Sequence, residues 1–204
     1  MDVLVPFAAA VVSLRLAAEL VRRYRRRRGN ELLAWAASLV CFAAASAALA
    51  WAAAAGWDDR VFRVYYLFGG LLTAALLGAG SLLRVSVRHA GAVALVYAGL
   101  AIGVALAMRI EPTVGGSEIP DASEHLELAP ARLIALIGNG VGTIAAIGVA
   151  LAGIRRRALG NTLIIGGVAV AALGSAFAGL GGGGGSLFTA LAACLLYAGF
   201  VSSR

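Results

Sequence analysis

Arg15 and Glu19 stand four residues apart in an otherwise apolar stretch, so on a helix they share one face and can pair as guanidinium and carboxylate. Asn139 sits inside a second apolar stretch, and Thr73 and Ser81 inside a third. Polar groups at membrane depth are costly, which makes them the first places to look for a binding or transport site. The Arg15 and Glu19 pair also has a purely structural reading. Arg15 lies close enough to a run of arginines to snorkel toward it, and Glu19 is one turn from Arg22 and Arg23. Trp35, Tyr65, Tyr66 and Tyr97 supply rings suited to lining a cavity for a small apolar or amphipathic ligand. The alternative is an interfacial belt, because Trp51, Trp57, Phe62, Tyr65 and Tyr66 cluster around one predicted loop.

Catalytic signatures are missing. There is no HExxH, no nucleophile elbow, no His-rich span and no pair of aspartates within the apolar segments. The chain contains no Lys, so Schiff-base chemistry is excluded. Cys41 and Cys194 sit in apolar runs without a second Cys or His at ligand spacing, and are expected to be inert thiols. The reading is therefore a protein that is not an enzyme, with no cofactor and no bound metal.

The elements that position these residues follow from hydropathy. With 61% hydrophobic residues, 13% charged residues and a mean hydropathy of +0.92, the 204-residue chain is far too apolar to cover itself with a polar surface. It reads as an all-α, multi-pass membrane protein in which residues 1–204 form a single seven-helix transmembrane domain. Seven apolar segments, 3–21, 32–54, 62–83, 90–108, 131–154, 162–179 and 186–202, are each closed by charge, Gly or Pro. The last two are joined by a glycine-rich stretch suited to a tight hairpin. The first segment is preceded by Asp2 and followed by arginines, the reverse of a cleavable secretory signal, so it is expected to remain as a span.

The formal net charge of +7 suggests nucleic acid until the charges are placed. Arg22, Arg23, Arg25–Arg28, Arg84, Arg88, Arg155–Arg157 and Arg204 all fall on one predicted side, and by the positive-inside rule that side is cytoplasmic. Asp2, Asp58, Asp59 and the acidic loop 110–130 fall on the other, with only scattered Arg60, Arg63, Arg109 and Arg132. The topology is thus N-terminus outside and C-terminus cytoplasmic in a cell membrane, and nucleic acid is not a partner. In the loop, Asp121 with Glu124 opens a short helix that ends before Pro130.

Two strings, RRRRGN at residues 25–30 and RRRALGN at residues 155–161, each follow an apolar segment. They suggest a parallel repeat of helices 1–3 as 5–7, with helix 4 as connector; a shared Ala and Gly bias is the competing explanation. That three-plus-one-plus-three plan resembles SWEET and PQ-loop transporters and rhodopsins in topology. Yet no span carries Pro-Gln, and the seventh has no Lys. Gly99 with Gly103 and Gly138 with Gly142 form GxxxG motifs that read as close helix contacts within the bundle.

The strings YYLFGGLLTAALLGAGSLLR, RRRALGNTLIIGGVAV and LLYAGFVSS are similar to uncharacterised seven-helix membrane proteins of bacteria. A looser likeness links the chain to seven-helix sensor regions of histidine kinases. Neither likeness transfers a function; the small, largely uncharged interior and the exposed basic face instead lead to the expectation of binding or sensing of a small molecule or lipid, through a membrane-protein partner or a homo-oligomer. The alternative is a small-solute facilitator, and the baseline is a structural scaffold.

Overall fold

A computed structural model describes residues 3–155, 158–179, 191–192, 194–196 and 198–199. The described residues are helical and contain no strand, as expected where lipid offers no partner for backbone N–H and C=O groups. The helices are α1 (Leu4–Arg27), α2 (Asn30–Ala55), α3 (Asp59–Arg84), α4 (Ala90–Ala107), α5 (Ala122–His125), α6 (Leu133–Ala152) and α7 (Ala158–Gly179). A wide-turned, kinked lead-in at Leu128–Arg132 precedes α6. Five helices (α1, α2, α3, α4, and α6 with its lead-in) are long and apolar enough to cross a membrane. The stretch Ala158–Val170 of α7 is apolar but shorter. The expected seventh segment falls largely outside the described residues.

Local chemistry sets the turns. Arg28 closes α1 in the left-handed region at φ 54°, its N–H donating to the Tyr24 carbonyl at 2.7 Å, and the extended Gly29 then starts α2. Gly56 ends α2 at φ 88°, a conformation that favours glycine. Asp58 caps α3, with Oδ1 accepting from the N–H groups of Arg60 and Val61 at 2.8 Å each.

α2 is the central element, with 56% of its apolar window buried, while α4 is peripheral at 17%. α2 packs on α1 and α3, and α3 packs on α6. The α3–α6 crossing is glycine-tight: a Cβ on Gly142 would collide with the Ala74 carbonyl, and one on Gly78 would stand 2.5 Å from the Gly142 Cα. The other GxxxG motif behaves differently, since Cβ atoms on Gly99 and Gly103 would meet nothing within 4 Å. Exposed Leu4, Phe7, Val11 and Leu14 on α1, and Val93, Leu95, Val96 and Leu100 on α4, form faces suited to lipid.

The two ends of the bundle differ in charge. At one end lie the turn between α1 and α2, the last turns of α3 and α6 and the first of α7, with Arg22–Arg28, Arg84, Arg88 and Arg155. At the other, the 108–130 segment folds over the α2–α3 turn. Asp59 Oδ1 accepts from Val114 N–H at 2.8 Å, and Trp57 N–H donates to the Gly116 carbonyl at 2.9 Å.

Candidate functional site

Inside the bundle, α3 winds as a π-helix from Tyr66 to Thr73, in the sequence YLFGGLLT. Such wide turns shift the hydrogen-bond register and commonly mark functional or strained positions. Side chains from three helices donate to its carbonyls. Asn139 Nδ2 on α6 reaches Gly70 O at 2.9 Å, and Ser38 Oγ on α2 reaches Thr73 O at 2.7 Å. Thr73 Oγ1 donates back to Phe68 O at 2.7 Å. The Tyr97 hydroxyl on α4 lies 2.9 Å from Leu71 O and 3.1 Å from Ile134 O, one proton shared between two helices. Thr73, Tyr97 and Asn139 therefore converge on the backbone of the π-helical stretch, with Tyr97 also bordering a groove between α4 and α6. The Asn139 Oδ1 is buried without a hydrogen-bond partner.

The remaining predicted residues lie elsewhere. Arg15 is exposed on the outer face of α1. Glu19 pairs with Arg22 at 3.1 Å and Arg23 at 3.2 Å, turned toward the arginine-rich end instead of toward Arg15. Tyr65 packs edge-on against Trp57 with ring centroids 5.3 Å apart, and Tyr66 stacks on Phe62 at 5.9 Å. These rings form a core cluster with Leu71, Ala101, Val104 and Met108. Of the aromatic group expected as a belt, Trp51 is 64% exposed, whereas Trp57, Phe62 and Tyr66 are interior. Burial follows from the fold of the 108–130 segment, which covers them.

The cavity lies at the arginine-rich end, remote from Tyr65 and Tyr66. It encloses about 630 Å³ between α2, α3, α6 and α7. Trp35, Leu77, Ala146 and Ile164 line it with apolar surface, and Glu31, Ser81, Arg84 and Asn161 supply polar groups. Trp35 lies flat against α3 because Gly80 has no side chain, a Cβ there falling inside van der Waals contact with the indole. The Arg84 guanidinium sits 5.8 Å from the Trp35 ring centroid, within cation–π range. Ser81 Oγ is already committed to the Leu77 carbonyl at 3.1 Å. Glu31 is half-buried, and among the described residues it makes no ion pair with Arg84 or with any other base. A carboxylate and a guanidinium thus share one cleft without neutralising each other.

Glu31, Arg84 and Asn161 were not singled out by the sequence as site residues. The available signal was the pair of strings RRRRGN and RRRALGN: the first ends at Asn30, next to Glu31, and the second at Asn161, and both reach the same cleft.

The acidic loop is organised by its own hydrogen bonds. Asp121 caps α5, accepting from Ser123 N–H at 2.7 Å and Ser123 Oγ at 2.8 Å. These bonds, the backbone one foremost, hold its carboxyl below the usual carboxylate range, with Arg132 and His125 adding to the effect. His125 Nδ1 lies 2.8 Å from the Pro112 carbonyl, and its ring stands edge-on to Phe62.

No known family model matches the chain, and neither a curated protein nor a solved structure is significantly similar to it.

Proposed function

We propose that this chain is a seven-span protein of the cell membrane that binds a small zwitterionic or amphipathic molecule in the cleft of Glu31, Trp35 and Arg84. One observation carries the reading: opposite charges face a largely apolar cavity of about 630 Å³ without pairing to each other. Glu31 suits the cationic group of a ligand, Arg84 its carboxylate or phosphate in bidentate fashion, and Trp35 its apolar body.

Five membrane-length helices among the described residues, and the packing of α7 against Leu195, Leu196 and Gly199, support the seven-span plan. Gly199 lies against Gly160 and Ile164, and Leu196 against Gly167, pairings that run antiparallel as a tight hairpin requires. The excess of arginine at one end, against only Arg60, Arg63, Arg109 and Arg132 at the other, supports an N-terminus outside and a C-terminus in the cytoplasm, an orientation in which the cleft opens to the cytoplasm. The short arginine-rich turns beside the cleft give a partner protein or a second copy a surface on which to read the bound state.

The test is a thermal-shift screen of the full chain in detergent against free amino acids, betaines and short amino-phosphate esters. A hit near 100 times its Kd stabilises by about 2.7 kcal/mol. Glu31→Gln and Arg84→Gln should each abolish that shift. If no probe class shifts the melting temperature, or both variants respond as the parent does, the reading fails. A facilitator is the second reading, favoured by the two repeated strings meeting at one cleft; flux into proteoliposomes above empty vesicles would support it.

A further inference from the structure

A second concavity, separate from the cleft, opens sideways between α4 and α6. It holds about 390 Å³ and is floored by Ala75, Gly78 and Ala79 of α3. Its existence has a packing cause. Gly78 and Gly142 draw α3 and α6 together, while small residues on the facing turn of α4 leave the space between unfilled. Its rims, Val93 at 65% exposure and Val141 at 59%, face outward, so the groove is open to whatever surrounds the bundle. Tyr97 closes it at the deep end through its bonds to Leu71 O and Ile134 O.

At the other end the groove's mouth carries Arg88 and His89, both exposed, and no carboxylate lines it anywhere. Both residues belong to the sharp turn before α4, where Ser86 at φ 60° and His89 at φ 69° redirect the chain. The N-terminus of α4 begins at Ala90 with no side-chain cap and no acidic residue in its first turn, so neither this turn nor the groove lining among the described residues sets a negative charge against an anion. From Ala90 to Tyr97 the groove runs roughly 10 Å along α4, most of one leaflet of a 30 Å hydrocarbon layer.

An apolar slot reaching through most of one leaflet, open laterally and headed by positive charge on the arginine-rich side, suits an anionic lipid in both shape and sign. We propose that this groove holds an acyl chain of an anionic phospholipid, with its phosphate on Arg88 and His89. Charge complementarity sets the occupant: a zwitterionic lipid would bring its cationic group to a basic mouth, and a neighbouring helix would leave Arg88 unopposed.

Native mass spectrometry of the full chain, released from mixed micelles containing equal dioleoyl phosphatidylglycerol and dioleoyl phosphatidylcholine, reads the outcome. One phosphatidylglycerol should be retained per chain and phosphatidylcholine lost. Arg88→Ala should weaken retention about fivefold, the effect of one basic contact at a lipid surface. Ala94→Phe or Val141→Phe, which fill the slot and leave the mouth intact, should abolish it; two variants on opposite walls guard against a folding defect in either. Equal retention of the two lipids, undiminished retention in Arg88→Ala, or undiminished retention in both slot-filling variants overturns the proposal. Competition by inorganic phosphate alone would also overturn it, because the acyl slot would then be idle.

Discussion

Replacing Tyr97 by Phe removes one hydroxyl and leaves the ring and its volume in place, which isolates the brace on the π-helical part of α3. The hydroxyl stands 2.9 Å from Leu71 O and 3.1 Å from Ile134 O, and its single proton serves both carbonyls. Interhelical hydrogen bonds in membrane proteins are worth about 0.6 kcal/mol on average and about 1.7 at most. Because the proton is shared between two acceptors, Tyr97→Phe should cost about 1 kcal/mol, above the average. Asn139→Leu should cost less. It loses the bond to Gly70 O but also removes Oδ1, a buried acceptor with no partner whose desolvation is a standing penalty of about 1–3 kcal/mol. The two donors brace adjacent carbonyls, so the double variant should depart from additivity by about 0.5 kcal/mol or more. Reversible unfolding of the full chain in bicelles by dodecyl sulfate measures all three. A Tyr97→Phe cost within about 0.3 kcal/mol of zero, below the usual error of additivity, together with a larger cost for Asn139→Leu would refute the brace.

Gly142→Ala should destabilise by about 1–3 kcal/mol, because its Cβ collides with the Ala74 carbonyl and the backbone cannot give way. Gly99→Ala should instead be neutral or stabilise by up to about 1 kcal/mol, as its Cβ meets nothing within 4 Å and alanine favours the helix; the same unfolding assay separates them. For Asp121 the folded pKa is lowered, so its capping bonds stabilise the turn at pH values above the ordinary carboxylate range and are lost as pH falls through the folded value. The protection of the Ser123–His125 amides, measured as the exchange rate relative to the intrinsic rate at each pH, should therefore fall on acidification, and Asp121→Asn should remove that pH dependence.

The helices were legible because lipid permits few alternatives: an apolar run of about 20 residues has to satisfy its own backbone. The short helix capped by Asp121 was legible for the same local reason, a side-chain acceptor placed ahead of free N–H groups. The interior was less so. Gly99-xxx-Gly103 and Gly138-xxx-Gly142 are the same motif in sequence, yet only the second meets a neighbouring backbone. Which one does depends on the tilt of α3 against α6, a tertiary property that periodicity does not encode. Thr73 and Asn139 stand out as polar residues at depth and Tyr97 as a ring suited to a cavity; these three gather, while Arg15 and Glu19 lie apart. Their target, a π-helical stretch, leaves no mark in composition, since Gly69 and Gly70 read equally well as ordinary small-residue packing. Glu31 adjoins a run of arginines, and in sequence nothing distinguishes it from interfacial charge. Only the approach of α7 to α3 and α6 closes a cleft around it.

The contrast between the two ends bears on whether the cleft serves binding or passage. At the arginine-rich end the helices part around Trp35. At the other, Trp57, Phe62 and Tyr66 interlock under the 108–130 segment, and Arg63 donates to the Ala105 and Met108 carbonyls at the end of α4. Rings of this kind bury about 150–250 Å² each. At about 25 cal/mol per Å², wetting even one of them costs about 4–6 kcal/mol. Alternating access would have to disrupt this cluster, and the differential affinity of a single small solute for two conformations has to supply the difference. An end closed under the 108–130 segment, opposite an open arginine-rich cleft, therefore favours the proposed binding reading over passage. Transport would require a second conformation in which α3 unbends at Tyr66–Thr73 and carries Phe62 and Tyr66 away from α4. The braces from Ser38, Tyr97 and Asn139 hold that same stretch in place, so weakening them is also the perturbation that would expose a transport cycle if one exists.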